Sequence, residues 1–319
     1  MLRRFPACRV FDDVSFAPPA ALRRVLAFLL AAMAAGLLSG CNGVLDPRGP
    51  VGYSARLILF DSLAIMIAVV TPVLIAIAIF AWWFRAANGR AFYWPNWEFS
   101  GHLELLVWSI PALVVVFLGG IAWFGSQALD PFRPLESKQK PIEVQVVSLD
   151  WKWLFLYPEE GVASVNVLAV PVGVPVHFRL TSSGVMNSFF VPQLGSQIYS
   201  MAGMTSQLHL QADEPGTFLG ISANFSGAGF SDMHFDVRSM PPEAYAKWVA
   251  DAKASGDPLD RARYAELVKP SQNVSPITFR SFESGLFEAI VNGTAPQSQA
   301  SSYAAPGGED KPATNQGGG

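Results

Sequence analysis

The sequence predicts a hairpin of two transmembrane helices, followed by an all-β sandwich and a short helical C-terminal arm. Three observations lead to this fold class. Two long apolar runs lie at about 57–84 and 105–124, and about 20 apolar residues cross the hydrocarbon core of a membrane. Short alternating segments separated by Pro and Gly turns follow over residues 130–240, as in β-sandwiches and barrels. Residues 241–291 return to helical spacing.

The composition indicates a membrane protein of about two structural units. The chain has 319 residues, of which 51% are hydrophobic and only 15% are charged. Its net charge of −3 is small and it has no cluster of Lys and Arg, so nucleic-acid binding is not expected. Cys8 and Cys41 are the only cysteines in the sequence. Because Cys8 belongs to the predicted signal segment, no disulfide is expected in the mature chain.

The N-terminus has the pattern of a lipoprotein signal. Arg23 and Arg24 precede a short apolar run, and Leu38-Ser39-Gly40 then leads directly to Cys41. A basic segment, a short hydrophobic segment and small residues before the cleavage point are typical of secretion. The run is too short to span a membrane, so we expect residues 1–40 to be removed and Cys41 to receive a lipid. The alternative is an ordinary cysteine that follows a signal anchor.

The two apolar runs are predicted to form the hairpin within residues 41–129. The first is free of charge from Ser62 to Phe84, and the second runs from Leu105 to Phe124. Each contains one proline, which spanning helices tolerate. If Cys41 lies outside the cell membrane, the loop between the helices is cytoplasmic, in agreement with its arginines. The chain after about residue 130 then returns to the outer side.

Glu104 lies at the predicted cytoplasmic start of the second helix and has two interpretations. As an interfacial carboxylate at a helix N-terminus, it is simply favoured by the helix dipole. As a carboxylate at a membrane boundary, it collects protons for an internal channel. The residue alone does not decide between them.

A glycine-rich loop, Thr217 to Met233, bears most directly on function. A binuclear copper loop has the pattern C-x-E-x-C-G-x-x-H-x-x-M, with two thiolates, an imidazole, a thioether and the carbonyl of the glutamate as ligands. Soft copper sites are built from thiolate, thioether and imidazole groups, and only the thioether is present here. The sequence therefore predicts a loop that has kept its turn and lost its metal. The corresponding positions in this chain hold Ser222, Asn224, Ser226, Phe230 and Met233.

This loop and its surroundings resemble subunit II of the haem–copper oxidase family. The similarity includes GVMNSFFVPQLGSQIYSMAGM (184–204), where Asn187 stands at the position of a further His ligand, and DWKWLFLYPEEG (150–161). It extends from about Cys41 to Ala289. Within that family the chain resembles the ubiquinol oxidase branch (cytochrome bo type), which lacks the copper centre of subunit II. The resemblance implies that the β-sandwich at 130–240 is cupredoxin-like.

The resemblance also implies a role in a proton-pumping terminal oxidase that oxidises ubiquinol and reduces O2 to water. This chain would bind no cofactor, because haem and copper would lie in the partner subunit I. Its expected partners are subunit I, the other membrane subunits and membrane lipid, with ubiquinol as the substrate of the complex and no role for cytochrome c. The expected location is the bacterial inner membrane, with the β domain in the periplasm. In the family, a glutamate at the place of Glu104 guards a proton pathway of subunit I.

Two other functions are considered. A non-redox periplasmic lipoprotein, whose copper-free cupredoxin-like domain binds another protein, would carry the same substitutions at Asn187, Ser222 and Ser226. A copper-containing cytochrome c oxidase subunit is disfavoured by the missing ligands. Co-purification with a haem-bearing subunit separates the oxidase subunit from the binding module.

Two further sets of side chains, the aromatic strand of the outer domain and the four histidines of the chain, have structural interpretations. Trp151, Trp153, Phe155 and Tyr157 alternate along one strand and can share one face, so we expect them to pack in the sandwich or against the membrane subunit. No histidine pairs with another at a ligand spacing, and all are expected to be solvated or to support other groups. The histidines are His102, His177, His209 and His234.

The C-terminal region, 241–291, is predicted to be a helical arm that lies across a partner. Helical spacing occurs in Pro241 to Ser255, in Asp260 to Val268 and in Ile277 to Val291. Residues 292–319 are rich in small and polar side chains and are predicted to be disordered.

Overall fold

The computed structural model describes residues 43–298 apart from 93–95 and 97, together with Arg24 and Phe28. Cys41, nearly all of the predicted signal peptide and the chain after Ser298 therefore lie outside the described residues. Two long helices precede two β-sheets, and a C-terminal region packs on one of these sheets. The predicted fold, a helical hairpin followed by a β-sandwich and C-terminal helices, is confirmed.

Two helices, α1 (Pro50–Trp83) and α2 (Gly101–Ala128), form the hairpin. Both are long and apolar enough to cross a membrane, and the rest of the described chain does not bury their most apolar windows. They touch where Gly125 faces Ile58, because a Cβ at Gly125 would lie 2.8 Å from the end of the isoleucine side chain. Both helices are longer than the apolar runs predicted, since each continues past the apolar run towards the sandwich.

The start of α1 is fixed to the β domain. The backbone N–H of Gly52 donates to the carbonyl of Leu194 at 3.0 Å, and the side chain of Val51 belongs to the sandwich core. A Cβ at Gly49 would collide with the carbonyl oxygen of Gln211, so only glycine allows the two backbones to approach. The helix therefore begins inside the β domain, several residues before its apolar run.

The β domain consists of two sheets. Its strands are β1 (Ile142–Leu149), β2 (Lys152–Tyr157), β3 (Val162–Val165), β4 (Val167–Pro171), β5 (Val176–Ser182), β6 (Asn187–Phe190), β7 (Ile198–Ser200), β8 (Ser206–Leu210), β9 (Gly216–Ser222), β10 (His234–Met240), β11 (Asp257–Leu259) and β12 (Ile277–Phe282). The larger sheet has the order β11-β12-β3-β2-β1-β5-β8, and the smaller sheet has the order β4-β10-β9-β6-β7. The smaller sheet thus carries the strands that flank the glycine-rich loop.

Aromatic side chains fill the space between the sheets. Trp153 and Phe155 of β2 contact Phe235 of the smaller sheet, with ring centroids 5.7 and 5.2 Å apart. Burying one large apolar side chain stabilises the fold by about 1.5–3 kcal/mol. Trp151 and Tyr157 belong to the same core. The alternating aromatic residues around β2 therefore pack inside the sandwich, one of the two arrangements that the sequence predicted.

The C-terminal region contains α3 (Pro242–Ser255), α4 (Arg261–Leu267) and α5 (Leu286–Val291) besides β11 and β12. Helices α4 and α5 cover the opposite face of the larger sheet, whereas Ala252 of α3 packs in the first core. Leu154 and Leu156 of β2 pack there with Tyr264 of α4 and Phe287 of α5 in a second hydrophobic core. Helices α4 and α5 therefore form a third layer of the domain, which buries the second apolar face of the sheet.

The structure differs from the sequence prediction in two parts of this arm. Ile277 to Val291, predicted to be helical throughout, contains strand β12 before helix α5. Phe279 pairs with Ala163 near the edge of the larger sheet. Hydrogen bonding to a strand that is distant in the sequence therefore determines the structure of this segment, although its spacing of apolar residues fits a helix. Asn292 to Ser298, predicted to be disordered, continue along the domain, and Ala295 is buried.

Candidate functional site

The first six residues of the glycine-rich loop, Thr217 to Ser222, belong to strand β9, and the rest of the loop contains a 3-10 helical turn, Phe230–Asp232. Ser222 is the last residue of β9, and Asn187 is the first residue of the neighbouring strand β6. Because β6 and β9 are hydrogen-bonded neighbours, Asn187 comes to lie beside the loop. The backbone N–H of Ser222 donates to the carbonyl of Met233 at 3.1 Å, which closes the loop on itself.

Four of the predicted site residues form two pairs of buried side chains. The hydroxyl of Ser222 donates to Asn187 Oδ1 at 3.0 Å, and the hydroxyl of Ser226 lies 3.9 Å from the sulfur of Met233. All four side chains are buried, with exposed fractions between 2% and 8%. Buried polar groups are nearly always hydrogen-bonded in native proteins. The loop is therefore held by hydrogen bonds between neutral side chains.

Asn224 and Phe230 are half-buried at the outer side of the loop. Asn224 Nδ2 donates to the carbonyl of Met186 at 3.2 Å, which ties the loop to the residue before β6. Phe230 packs edge-on against Phe225, with ring centroids 5.5 Å apart, and Phe225 is 75% exposed. The position that an imidazole occupies in copper loops thus contributes to an apolar surface.

Trp151 supports the loop from the core side. Its indole Nε1 donates to the carbonyl of Ser226 at 3.0 Å. A Cβ at Gly229 would lie 2.5 Å from the indole ring, and a Cβ at Gly227 would lie 3.1 Å from it, so both glycines allow the loop to lie on the ring. Trp151 has a φ of 60°, which is rare for a bulky residue. The sequence analysis placed Trp151 in the core and missed its contact with the loop, although the paired glycines were a signal.

The side chains at the loop do not fit a copper centre. Serine hydroxyls stay protonated near neutral pH, Phe230 has no lone pair, and only the sulfur of Met233 is a soft donor. Within the part of the chain that the structure describes, no group of three or more His, Cys, Asp or Glu side chains is placed to hold a metal. The residue types at the loop therefore give no role to a metal in this chain, and the loss of copper stays a prediction.

Glu104 is not part of this loop. It lies in the first turn of α2, where its backbone N–H donates to the carbonyl of Ser100 at 3.0 Å. Its Oε2 accepts a hydrogen bond from Trp108 Nε1 at 3.1 Å, and the side chain is exposed. At about 1.5 Å per residue, the far end of α2 is about 36 Å away. The predicted site residues therefore fall into two separate places, and Cys41 lies outside the described residues.

A buried lysine next to Trp151 was missed by the sequence analysis. Lys152 Nζ donates to the hydroxyl of Ser271 at 2.6 Å and to the carbonyls of Asp150 and Lys269 at 3.0 Å each. Burial lowers the pKa of Lys152 to about 8, and the nearby charge of Asp150 opposes this shift. Lys152 thus fastens the arm to β2. A lysine within an aromatic strand was the available signal.

All four histidines were expected to be solvated or to support other groups, and His209 is buried rather than solvated. The rings of His177 and His209 stack with centroids 4.6 Å apart and planes 7° from parallel. Nδ1 of His209 lies 3.1 Å from the carbonyl of Pro131. Burial lowers the pKa of His209, the Pro131 carbonyl raises it, and His177 lowers it further. Neutral His209 therefore donates to the linker that follows α2.

Comparison with known proteins places the chain in a family. Residues 143–240 match the family profile described as cytochrome c oxidase subunit II, periplasmic domain, and residues 253–294 match the COX aromatic rich motif. Over 256 residues the chain is 49% identical to the cytochrome bo(3) ubiquinol oxidase subunit 2 of Pseudomonas aeruginosa, covering 80% of this chain and 77% of that protein. The chain belongs to the ubiquinol oxidase subunit 2 family.

Other relatives of this family are similar over the same extent. The ubiquinol oxidase subunit 2 of Acetobacter aceti is 47% identical over 259 residues, covering 80% of this chain and 84% of that protein. The quinol oxidase subunit 2 of Bacillus cereus is 39% identical over 248 residues, covering 76% and 85%. The solved periplasmic domain of subunit II of cytochrome oxidase from Bradyrhizobium japonicum aligns with a TM-score of 0.35 at 23% identity, covering 37% of this chain and 98% of that structure. The identities to the ubiquinol oxidase subunits 2 of Pseudomonas aeruginosa and Acetobacter aceti confirm the resemblance that was inferred from the sequence.

Proposed function

We propose that this chain is subunit 2 of a proton-pumping terminal oxidase complex that oxidises ubiquinol and reduces O2 to water. The observation that carries the proposal is the 49% identity to the Pseudomonas aeruginosa protein of that name. Two apolar helices that the described part of the chain leaves uncovered support assembly with other membrane subunits. Haem and copper lie in one of these, subunit I, and this chain contributes no redox centre.

The chemistry of the loop supports a quinol as the electron donor of the complex. Ubiquinol reaches the oxidase within the bilayer, so no electron relay is needed on the outer surface. The serines, the amide and the phenylalanine at the ligand positions provide no such relay, while hydrogen bonds keep the loop closed. The loop therefore has a structural role, and the complex takes no electrons from cytochrome c.

Oxygen uptake by the purified complex tests this function. A short-chain ubiquinol and reduced cytochrome c are offered in turn, and we expect rapid uptake with the quinol only. Uptake driven by cytochrome c would mean that an electron relay exists in the complex and would contradict the proposal. A tagged chain that brings down no haem-bearing subunit would favour a non-redox binding module instead.

Glu104 is proposed to act at the entrance of a proton pathway into subunit I. Its place in the first turn of α2 and the exposure of its carboxylate support this role. We expect Glu104→Gln to lower steady-state turnover with ubiquinol, while Glu98→Gln, an exposed glutamate shortly before the same helix, leaves turnover unchanged. Equal turnover in both variants and the unchanged complex would show that Glu104 is only an interfacial charge.

Cys41 is proposed to carry a lipid, so that the mature chain is anchored in the inner membrane with its β domain in the periplasm. The Leu-Ser-Gly-Cys sequence at 38–41 and the two apolar helices support this arrangement. Intact mass of the purified subunit should show cleavage before Cys41 and the added mass of a diacylglycerol. Cleavage at another residue, or an unmodified cysteine, would contradict it.

A further inference from the structure

A cavity of about 260 Å³ lies where the outer ends of the two membrane helices meet the sandwich. The first turn of α1, the end of α2, the linker after α2 and strand β8 form its walls. Val51 and Leu208, which belong to the sandwich core, give the cavity an apolar side. The cavity is too small for a whole lipid molecule, since sites for drug-sized ligands begin at about 300 Å³.

The depth of this cavity corresponds to the headgroup layer of a bilayer. The apolar run of α2 ends at Phe124, and Ala128, which lines the cavity, is four residues further on. At about 1.5 Å per residue this is about 6 Å beyond the hydrocarbon boundary. The polar layer is about 5–7 Å thick on each side of a hydrocarbon core of about 30 Å. Whatever enters the cavity from the membrane therefore enters with its polar end.

The polar side of the cavity carries one cation and two anions. Arg133, Asp130 and Glu136 all line it. Arg133 and Glu136 are 3.8 Å apart with side-chain exposures of 59% and 95%, and such surface pairs are weak, so the guanidinium remains available to a ligand. Asp130 Oδ1 accepts one bond from the backbone N–H of Phe132, and a carboxylate has further acceptor positions. The lining thus offers donors for an anion beside acceptors for an ammonium group.

We propose that this cavity binds the headgroup of a phospholipid that contains a phosphate and a primary amine, as in phosphatidylethanolamine. Arg133 holds the phosphate, because a guanidinium donates two parallel hydrogen bonds to such oxygens. Asp130 and Glu136 accept hydrogen bonds from the ammonium group. A choline headgroup has no N–H to donate, and a glycerol headgroup brings no cation to the two carboxylates. The inference does not depend on the oxidase function, since it uses only the helices and the cavity.

Retention of lipids by the full chain tests the proposal. The chain is placed in nanodiscs with equal amounts of dioleoyl phosphatidylethanolamine, phosphatidylglycerol and phosphatidylcholine, and the lipids that stay bound are identified by native mass spectrometry. We expect phosphatidylethanolamine to be retained at least about fivefold over the other two, a difference that corresponds to about 1 kcal/mol. Arg133→Gln should abolish this preference. The double variant Asp130→Asn/Glu136→Gln should shift it towards phosphatidylglycerol.

Arg238→Gln is the matched control, because Arg238 also pairs with a nearby carboxylate at 3.5 Å and is half-exposed, but it does not line the cavity. Its lipid preference should equal that of the unchanged chain. Circular dichroism confirms that each variant is folded. Equal retention of the three lipids, no retention of any lipid, or a preference that survives Arg133→Gln would overturn the proposal. So would an equal loss of preference in Arg238→Gln.

Discussion

Replacing Ser222 by alanine should loosen the loop that follows β9. The hydroxyl of Ser222 donates to Asn187 Oδ1 at 3.0 Å, and both side chains are buried. In Ser222→Ala the amide oxygen loses this donor in a place that water does not reach. A buried polar group left without its partner costs about 1–3 kcal/mol. We therefore expect the free energy of unfolding to fall by about 1–3 kcal/mol.

Asn187→Ala tests the same hydrogen bond from the other side. It also removes the bond from Asn187 Nδ2 to the carbonyl of Val185 at 3.2 Å. The Ser222 hydroxyl then still has an acceptor, because the carbonyl of Asn224 lies 3.4 Å away. Because the two single variants break one shared bond, the double variant should be less destabilised than their sum. We expect a coupling energy of about 1 kcal/mol.

Unfolding by urea in detergent micelles, followed by tryptophan fluorescence, measures these changes. Trp151 is one of the nine tryptophans that contribute to this signal, and its indole donates to the carbonyl of Ser226 in the loop. The control is Ser281→Ala, an exposed serine on strand β12, which should change the stability by less than about 0.5 kcal/mol. If Ser222→Ala behaves like this control and the coupling energy is zero, the hydrogen bond does not hold the loop, and the reasoning is refuted.

Three further predictions use the same unfolding assay. Gly220→Ala should cost about 1–3 kcal/mol, because its Cβ would collide with the ring of Phe235. The pKa of His209 is lowered from 6.5 in the folded chain, so the unfolded chain binds more protons in mildly acid solution. The contribution of His209 to the free energy of unfolding should therefore be complete above pH 6.5 and fall as the pH drops below it. His209→Gln should remove this fall. Since the pKa of Lys152 is lowered from 10.5 to about 8, stability should rise as the pH increases through that interval, and Lys152→Met should remove the rise.

These predictions have internal controls. Gly89→Ala serves for Gly220, because a Cβ at Gly89 meets no atom within 4 Å. His209→Gln should leave the alkaline rise intact, and Lys152→Met should leave the acid fall intact, so each variant controls for the other. A pH profile that keeps both slopes in both variants would show that other groups cause them.

The architecture was predictable because it follows from patterns along short stretches of chain. Apolar runs identify spanning helices and alternation identifies strands, and both hold here. Ile277 to Val291 shows the limit of this approach, since its spacing fits a helix but strand β12 has a partner, β3, that lies far away in the sequence. The order of Asn292 to Ser298 also depends on distant residues, because Ser298 contacts Asp150.

The candidate site was predictable to the extent that its residues share one loop. Ser222, Ser226 and Met233 are brought together by local spacing, and Asn187 was added through the resemblance to a family. The stack of His177 on His209 was not predictable, because it requires the register between β5 and β8. A register is fixed by packing over the whole sheet and not by any one strand.

The anchoring of α1 within the sandwich has a mechanical consequence. Gly49 and Gly52 pack against the backbone of the β domain, and at the second connection His209 holds the carbonyl of Pro131. The membrane helices and the sandwich are thus joined at two places, the start of α1 and the linker after α2. Because α1, about 51 Å long at about 1.5 Å per residue, is hydrogen-bonded into the β domain, we expect a tilt of this helix to move the sandwich with it. The orientation of the two helices in a bilayer would then also orient the glycine-rich loop of the β domain.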